Sequence, residues 1–141
     1  MVHCHALYPP SQYPTGPADW DWIPELAKEG GWIIITADPS ISRDIHEQRA
    51  WLDSGLTAFF LAGKWGNLKT WEQTLWIFNA WEGIVETAKR HPSNAGFILN
   101  DRGKPQALNL QELRDKVRKK ERKHGTLATR RESRDKRNPA E

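Results

Sequence analysis

The apolar positions of this chain fall into short segments of alternating period. Residues 32–37 (WIIITA) and 57–62 (TAFFLA) are continuous runs of β-branched and aromatic residues with no polar alternation. That pattern predicts strands covered on both faces, as in a parallel sheet. Asp38-Pro39 closes the first run and Gly63 the second. GFIL at 96–99 reads as a last short strand, and VHCHAL at 2–7 as a first one, apolar at Val2, Cys4, Ala6 and Leu7.

Between these runs the period changes to that of helices. Residues 21–29 place Ile23, Leu26 and Ala27 on one face, with Asp21 as N-cap, Pro24 in the first turn and Gly30-Gly31 as the stop. A second helix is expected from about Ser42 to Leu52, ended by Ser54-Gly55. The longest spans 71–90. There Trp71, Leu75, Phe78, Trp81, Val85 and Ala88 form a stripe at three- and four-residue steps, which predicts its core-facing side. Thr70 and Gln73 have capping-box spacing, and His91-Pro92 ends the helix. Residues 8–18 hold four prolines and a glycine, so they form a loop. Strands alternating with helices define an α/β fold with a mainly parallel sheet.

Beyond Asn100 the aromatics disappear. Leu110, Leu113 and Val117 fit one side of a helix near 110–123, which Asn109 and Glu112 would cap, and 124–141 reads as polar and disordered. The chain thus divides into a body, 1–100, and a tail, 101–141. The body holds 7 Lys+Arg against 11 Asp+Glu and the tail 14 against 7, so an acidic body carries a basic tail. This asymmetry points to nucleic acid or an acidic partner, with a solvated tail as the bland alternative.

At 141 residues, 38% hydrophobic and 28% charged, the chain has the composition of one soluble domain, which excludes wholesale disorder and fibrous classes. No apolar run approaches the ~18 residues of a membrane span. No basic segment followed by an apolar core opens the chain, and Cys4 has no second cysteine to pair with, so a cytoplasmic location is expected.

Few residues carry recognisable chemistry. Asp38 follows a buried strand directly, and in open α/β sheets ligands sit beyond the strand carboxyl ends; an Asp-Pro turn needs the same residue. Asp19 and Asp21 put two carboxylates at a helix start, where Mg²⁺ ligation and helix capping both use them. His3, Cys4 and His5 lack the second Cys/His pair of a zinc site, and a lone cysteine reads as a small hydrophobe. P-loop, dinucleotide and hydrolase-elbow motifs are absent. The eight tryptophans read by default as packing residues, with base stacking as the alternative.

YPPSQYPTGPADWDWIPELAKEGGWIIITADPSISR, EQRAWLDSGLTAFFLAGKW and LKTWEQTLWIFNAWEGIVETAKR, between Tyr8 and Gly96, resemble the PIN-like domain family of the VapC type, found among toxin–antitoxin ribonucleases. The resemblance implies an α/β/α sandwich and RNA cleavage by carboxylates that hold Mg²⁺ or Mn²⁺. It assigns Asp38 as the acidic residue after the central strand, and Asp19 or Asp21 as the one at the preceding helix. Arg43, just past the strand, is a phosphate-binding candidate by charge and position. RNA, an antitoxin protein and a second copy of the chain are the partners it implies, with no membrane.

PIN-like domains usually open with a strand ending in a carboxylate and then a helix. This chain starts at what reads as the following strand. The expectation is therefore an N-terminally incomplete domain, through a start set too late or a shortened copy. The alternatives to a ribonuclease are a non-catalytic module that binds RNA or a partner, and a protein whose missing layer an antitoxin completes.

Overall fold

The structure, a computed structural model, describes residues 19–37 and 43–137, with side chains over 21–37 and 43–126. The expected strand at 2–7, the proline loop at 8–18 and Asp38 lie outside the described residues. In chain order come α1 (Asp19–Glu29), β1 (Ile33–Thr36), α2 (Ile45–Ser54), β2 (Thr57–Leu61), α3 (Gly63–Gly66), α4 (Thr70–Arg90), β3 (Gly96–Leu99), β4 (Pro105–Ala107) and α5 (Leu110–Arg137).

The four strands form one sheet in the order β1-β2-β3-β4. β1, β2 and β3 are parallel, with Ile35, Phe59 and Phe97 in one row; β4 is antiparallel to β3. This mixed sheet is an α/β arrangement of the kind the PIN-like resemblance implies. β4 has no apolar signature in PQA, and the turn before it creates it. The Asn100 side-chain oxygen accepts from the backbone N–H of Arg102 (2.9 Å) and of Lys104 (3.0 Å), folding the chain back on β3.

Alternation along the strands sends side chains to two cores. Ile34, Ala58 and Phe60 point to a front core with Trp22, Ile23 and Leu26 of α1, Trp51 and Leu52 of α2, and Val117 of α5. Phe59, Phe97 and Leu99 point to a back core with Trp65 of α3 and Ala80 and Ile84 of α4. Helices therefore pack on both faces. Burying each large apolar side chain contributes about 1.5–3 kcal/mol. The β1–β2 connection runs through α2 on the front, and the β2–β3 connection through α4 on the back. Along strand order 1-2-3 the two crossovers consequently have opposite hands, and one of them departs from the usual right-handed rule.

The front core is joined at Gly96. A Cβ there would sit 2.8 Å from the Trp51 ring and 3.3 Å from Leu110, so only glycine lets α2, β3 and α5 meet. Trp51 is further fixed by an edge contact with Phe60 (5.0 Å) and by its indole N–H donating to the Leu56 carbonyl (2.9 Å).

Several element ends differ from the sequence reading. α1 starts at Asp19, so Asp21 lies inside the first turn and is not its N-cap. Pro24 falls within the helix and has no N–H to donate to the carbonyl four residues before it. Burial of Trp22 and Ile23 favours that earlier start, because both must reach the front core. α2 begins at Ile45, because Asp44 caps it by accepting from the backbone N–H of His46 (2.9 Å) and Glu47 (3.2 Å); Gly55 closes it at φ 70°. At α4 the Lys69 N–H donates to Glu72 (2.9 Å), while Gln73, expected in the capping box, donates to the Trp65 carbonyl (2.6 Å).

One correction is larger. Most of the stripe expected to face the core from α4 is on the outside: Trp71 is 62%, Leu75 49%, Phe78 77% and Trp81 38% exposed, while Val85 is half-buried and Ala88 packs against the back core. α4 carries a second apolar face, and Trp76, Ile77, Ala80 and Ile84 make the contact with the sheet. Trp65 and Trp76, unassigned by periodicity, meet edge to face at 4.9 Å. α5 runs to Arg137, through the stretch from 124 that the sequence reading left without an element. Leu, Ala, Arg, Lys and Glu are strong helix formers, Gly125 is tolerated, and no proline falls between Pro105 and Pro139.

Candidate functional site

Because β1, β2 and β3 are parallel, their carboxyl ends at Thr36, Leu61 and Leu99 line one edge of the sheet. A short connection turns α1 back along β1, with Ile23 and Leu26 packed beside Ile34. The N-terminal turn of α1 is thus directed towards that same edge. Asp19 opens this turn and Asp21 is exposed within it. Asp38 stands two positions after Thr36, outside the described residues, as does the Asp19 side chain. Arg43 is exposed, immediately ahead of the Asp44 cap of α2. Topology therefore directs the first turn of α1, with Asp21, to the same side of the molecule as Thr36 at the end of β1, and Arg43 stands ahead of the helix that follows.

Among the described residues no three His, Cys, Asp or Glu side chains form a group able to hold a metal ion. One carboxylate in this neighbourhood was not singled out by the sequence. Glu47, in the first turn of α2, has an Oε2 shielded from solvent and without a hydrogen-bond partner. A buried carboxylate oxygen without a donor is costly unless a cation or proton meets it. In sequence Glu47 is indistinguishable from an acidic residue complementing a helix dipole, so only its burial marks it.

The segments after β2 and β3 add cations to the edge. Lys64 in α3 pairs with Asp101 at 2.9 Å, and hydrogen bonding to that carboxylate raises the lysine pKa above its ordinary value. Arg102 and Lys104 are exposed on the turn beyond β3. The turn is held against α3 by the Trp65 indole N–H, which donates to the Asn100 carbonyl at 3.3 Å. Each of these residues directly follows a strand, the one sequence signal that would have found them. The His3-Cys4-His5 group lies outside the described residues.

On the far side of α2, Arg49 pairs with Asp53 (2.8 Å) and with Glu121 of α5 (3.1 Å) across an open groove also lined by His46. The Asp53 hydrogen bond and charge hold the guanidinium pKa above its usual value. These pairs tie α5 to α2 at the surface.

Residues 1–63 of the chain match the family model described as PIN like domain. That stretch takes in α1, β1, α2 and β2, with Asp19, Asp21, Asp38, Arg43 and Glu47. No curated protein matches the chain. No solved structure matches it either. Among the described residues no helix is long and apolar enough to cross a membrane.

Proposed function

We propose that the chain is a PIN-like nuclease that hydrolyses RNA phosphodiesters, with Asp38 and one of Asp19 and Asp21 as the carboxylates of a Mg²⁺ or Mn²⁺ site. The reading is supported above all by one coincidence. The family match covers the same residues whose topology leads α1 and the end of β1 to the carboxyl edge of the sheet. Carboxylate oxygens are the donors these hard cations prefer, and the unpaired Oε2 of Glu47 in the adjoining helix is a further oxygen suited to a cation. Such an ion lowers the pKa of a bound water and neutralises charge on the phosphodiester.

The chain's own side chains supply the rest. Asp38 and one of Asp19 and Asp21 would hold the cation as ligands and would not be nucleophiles. Arg43 offers a bidentate contact to a phosphate. The exposed Lys64, Arg102 and Lys104 orient the flanking backbone, and the basic α5 adds salt-sensitive affinity. The resemblance to the VapC type makes an antitoxin the partner class that goes with this activity.

The test is cleavage of a fluorescent single-stranded RNA with and without Mn²⁺, by the wild type, Asp38→Asn and Asp21→Asn, with thermal melting as the fold control. Asp38→Asn should lose roughly 10²-fold or more in rate without a drop in melting temperature. Metal-dependent cleavage at wild-type rate by Asp38→Asn would overturn the assignment. RNA binding without cleavage, lost on truncation after Asn100, would favour the non-catalytic module; the run of exposed cations in α5 from Lys116 to Lys123 is the observation behind that second reading.

A further inference from the structure

We infer that the carboxyl half of α5 is an arm standing past the carboxyl edge of the sheet, and that it selects RNA strands long enough to reach from the carboxylates to the arm. This rests on the nuclease reading and adds to it the size of the substrate. α5 starts at the opposite edge of the sheet. Ala107 of β4 pairs with Phe97 near the start of β3, the Leu108 N–H donates to the Gly96 carbonyl at 2.8 Å, and the Leu110 side chain lies against Gly96. α2 runs the other way, from the end of β1 to the start of β2. The two helices pack side by side, so α5 climbs along α2 towards the edge where β1, β2 and β3 end. At Glu121 it has reached Arg49, one turn into α2, and lines the same groove as His46.

Residues 122–137 of the helix are still to come at that point. At 1.5 Å per residue they are about 24 Å long, and the remaining turn of α2 accompanies only about 6 Å of this. Roughly 18 Å therefore projects beyond the start of α2. It projects on the side of the molecule that holds Asp21, Thr36 and the turns bearing Lys64, Arg102 and Lys104. Every residue from Glu121 to Thr126 is exposed, so the base of the arm is no part of the core. Residues 122–137 carry seven Lys+Arg against two Asp+Glu, and Arg130, Arg131, Arg134, Lys136 and Arg137 fall in the last eight positions. On the front layer α2 separates α5 from α1, at about 8–10 Å between the axes of each packed pair. The outer part of the arm thus stands on the order of 25 Å from the first turn of α1. A stacked strand advances about 3.4 Å per phosphate, so about eight nucleotides bridge the gap. A shorter strand fills the carboxylate edge without meeting the arm. A longer one is held at both places, and its affinity gains the arm's counterion release.

The test compares two single-stranded oligoribonucleotides with the same central sequence, one of about six nucleotides and one of about twenty, in Mn²⁺ at about 50 mM salt. The full chain should cleave the longer with a kcat/KM about tenfold higher or more, and raising the salt should bring the ratio towards one. Replacing Arg130, Arg131 and Arg134 together by Gln should collapse the ratio at low salt. It should also flatten the salt dependence of affinity for the longer strand, read by fluorescence anisotropy, by about two in log–log slope. Gly125→Pro keeps every charge but kinks α5 at the base of the arm, and should collapse the ratio as well. A Gly125→Pro chain that keeps the ratio overturns the inference, because charge without position then suffices. If circular dichroism shows that Gly125→Pro does not fold, the triple Gln variant decides, and a ratio it leaves intact overturns the inference. Equal cleavage of both strands by the wild type also overturns it and leaves the nuclease reading standing. Cleavage of neither strand, with Asp38→Asn indistinguishable from the wild type, overturns both.

Discussion

Among the described residues, the front of the sheet is covered by three helices and the back by one long helix with a single short turn beside it. On the front, α1, α2 and the first turns of α5 bury Trp22, Ile23, Trp51, Leu52 and Val117. On the back, only Ala80 and Ile84 of the 21 residues of α4 are buried. Yet α4 is the more apolar helix; α5 is mostly charged and still places Val117 at 1% exposure. Apolar content thus does not measure how well a helix is used. A helix contributes to the core what one face can reach, and anything further is surface looking for a partner.

The largest test of this contrast is on the well-covered side. Trp51→Ala should cost about 3–5 kcal/mol in urea unfolding, since it empties the front core and leaves the Leu56 carbonyl without its donor. Gly96→Ala should cost about 1–3 kcal/mol, because its Cβ would meet the Trp51 ring at 2.8 Å. Asp44→Ala removes the cap of α2 and should lower stability by about 1 kcal/mol. On the back, Phe78→Ser should change stability by less than about 0.5 kcal/mol, although it removes a whole aromatic ring. A loss comparable to Trp51→Ala would show that the two sides are equally packed.

The smallest effect concerns the start of α5. Lys116 donates to Glu112 and holds its carboxyl below the ordinary value. A carboxylate depressed on folding stabilises above its unfolded pKa of about 4.3, and this contribution is lost as the pH falls through the folded value. Lys116→Gln should therefore narrow the difference between neutral and acid urea midpoints slightly, and a widened difference would contradict the pairing.

The same contrast separates what the sequence reveals from what it hides. WIIITA and TAFFLA are readable as parallel strands because burial on both faces leaves no room for a polar alternation. The existence and length of α4 are readable for a similar reason, since a helical period survives whichever side is buried. Its orientation is not, because Trp71–Leu75–Phe78–Trp81 and Trp76–Ile77–Ala80–Ile84 are both legitimate helical stripes. Choosing between them requires knowing where the sheet lies. β4 is illegible because a side chain of Asn100 makes it, not an apolar pattern in PQA. At the candidate site, the strand-end rule singles out Asp38, and the D-x-D spacing at a helix start singles out Asp19 and Asp21. Glu47 is not, since its distinguishing property is an oxygen hidden from water.

The short β4 has a consequence of its own. Over its three residues the backbone groups facing away from β3 belong to Pro105, which has no N–H to offer, and to Ala107. Growth of the sheet by addition of another strand is therefore blunted on that border. Along the opposite border, β1 presents Ile33 to Thr36 with no described strand beside it. Among the described residues the sheet is consequently one-ended, like a row of tiles finished on the right and open on the left. Any extended segment that joins it, from this polypeptide or another, enters beside β1, next to the strand that leads to Asp38.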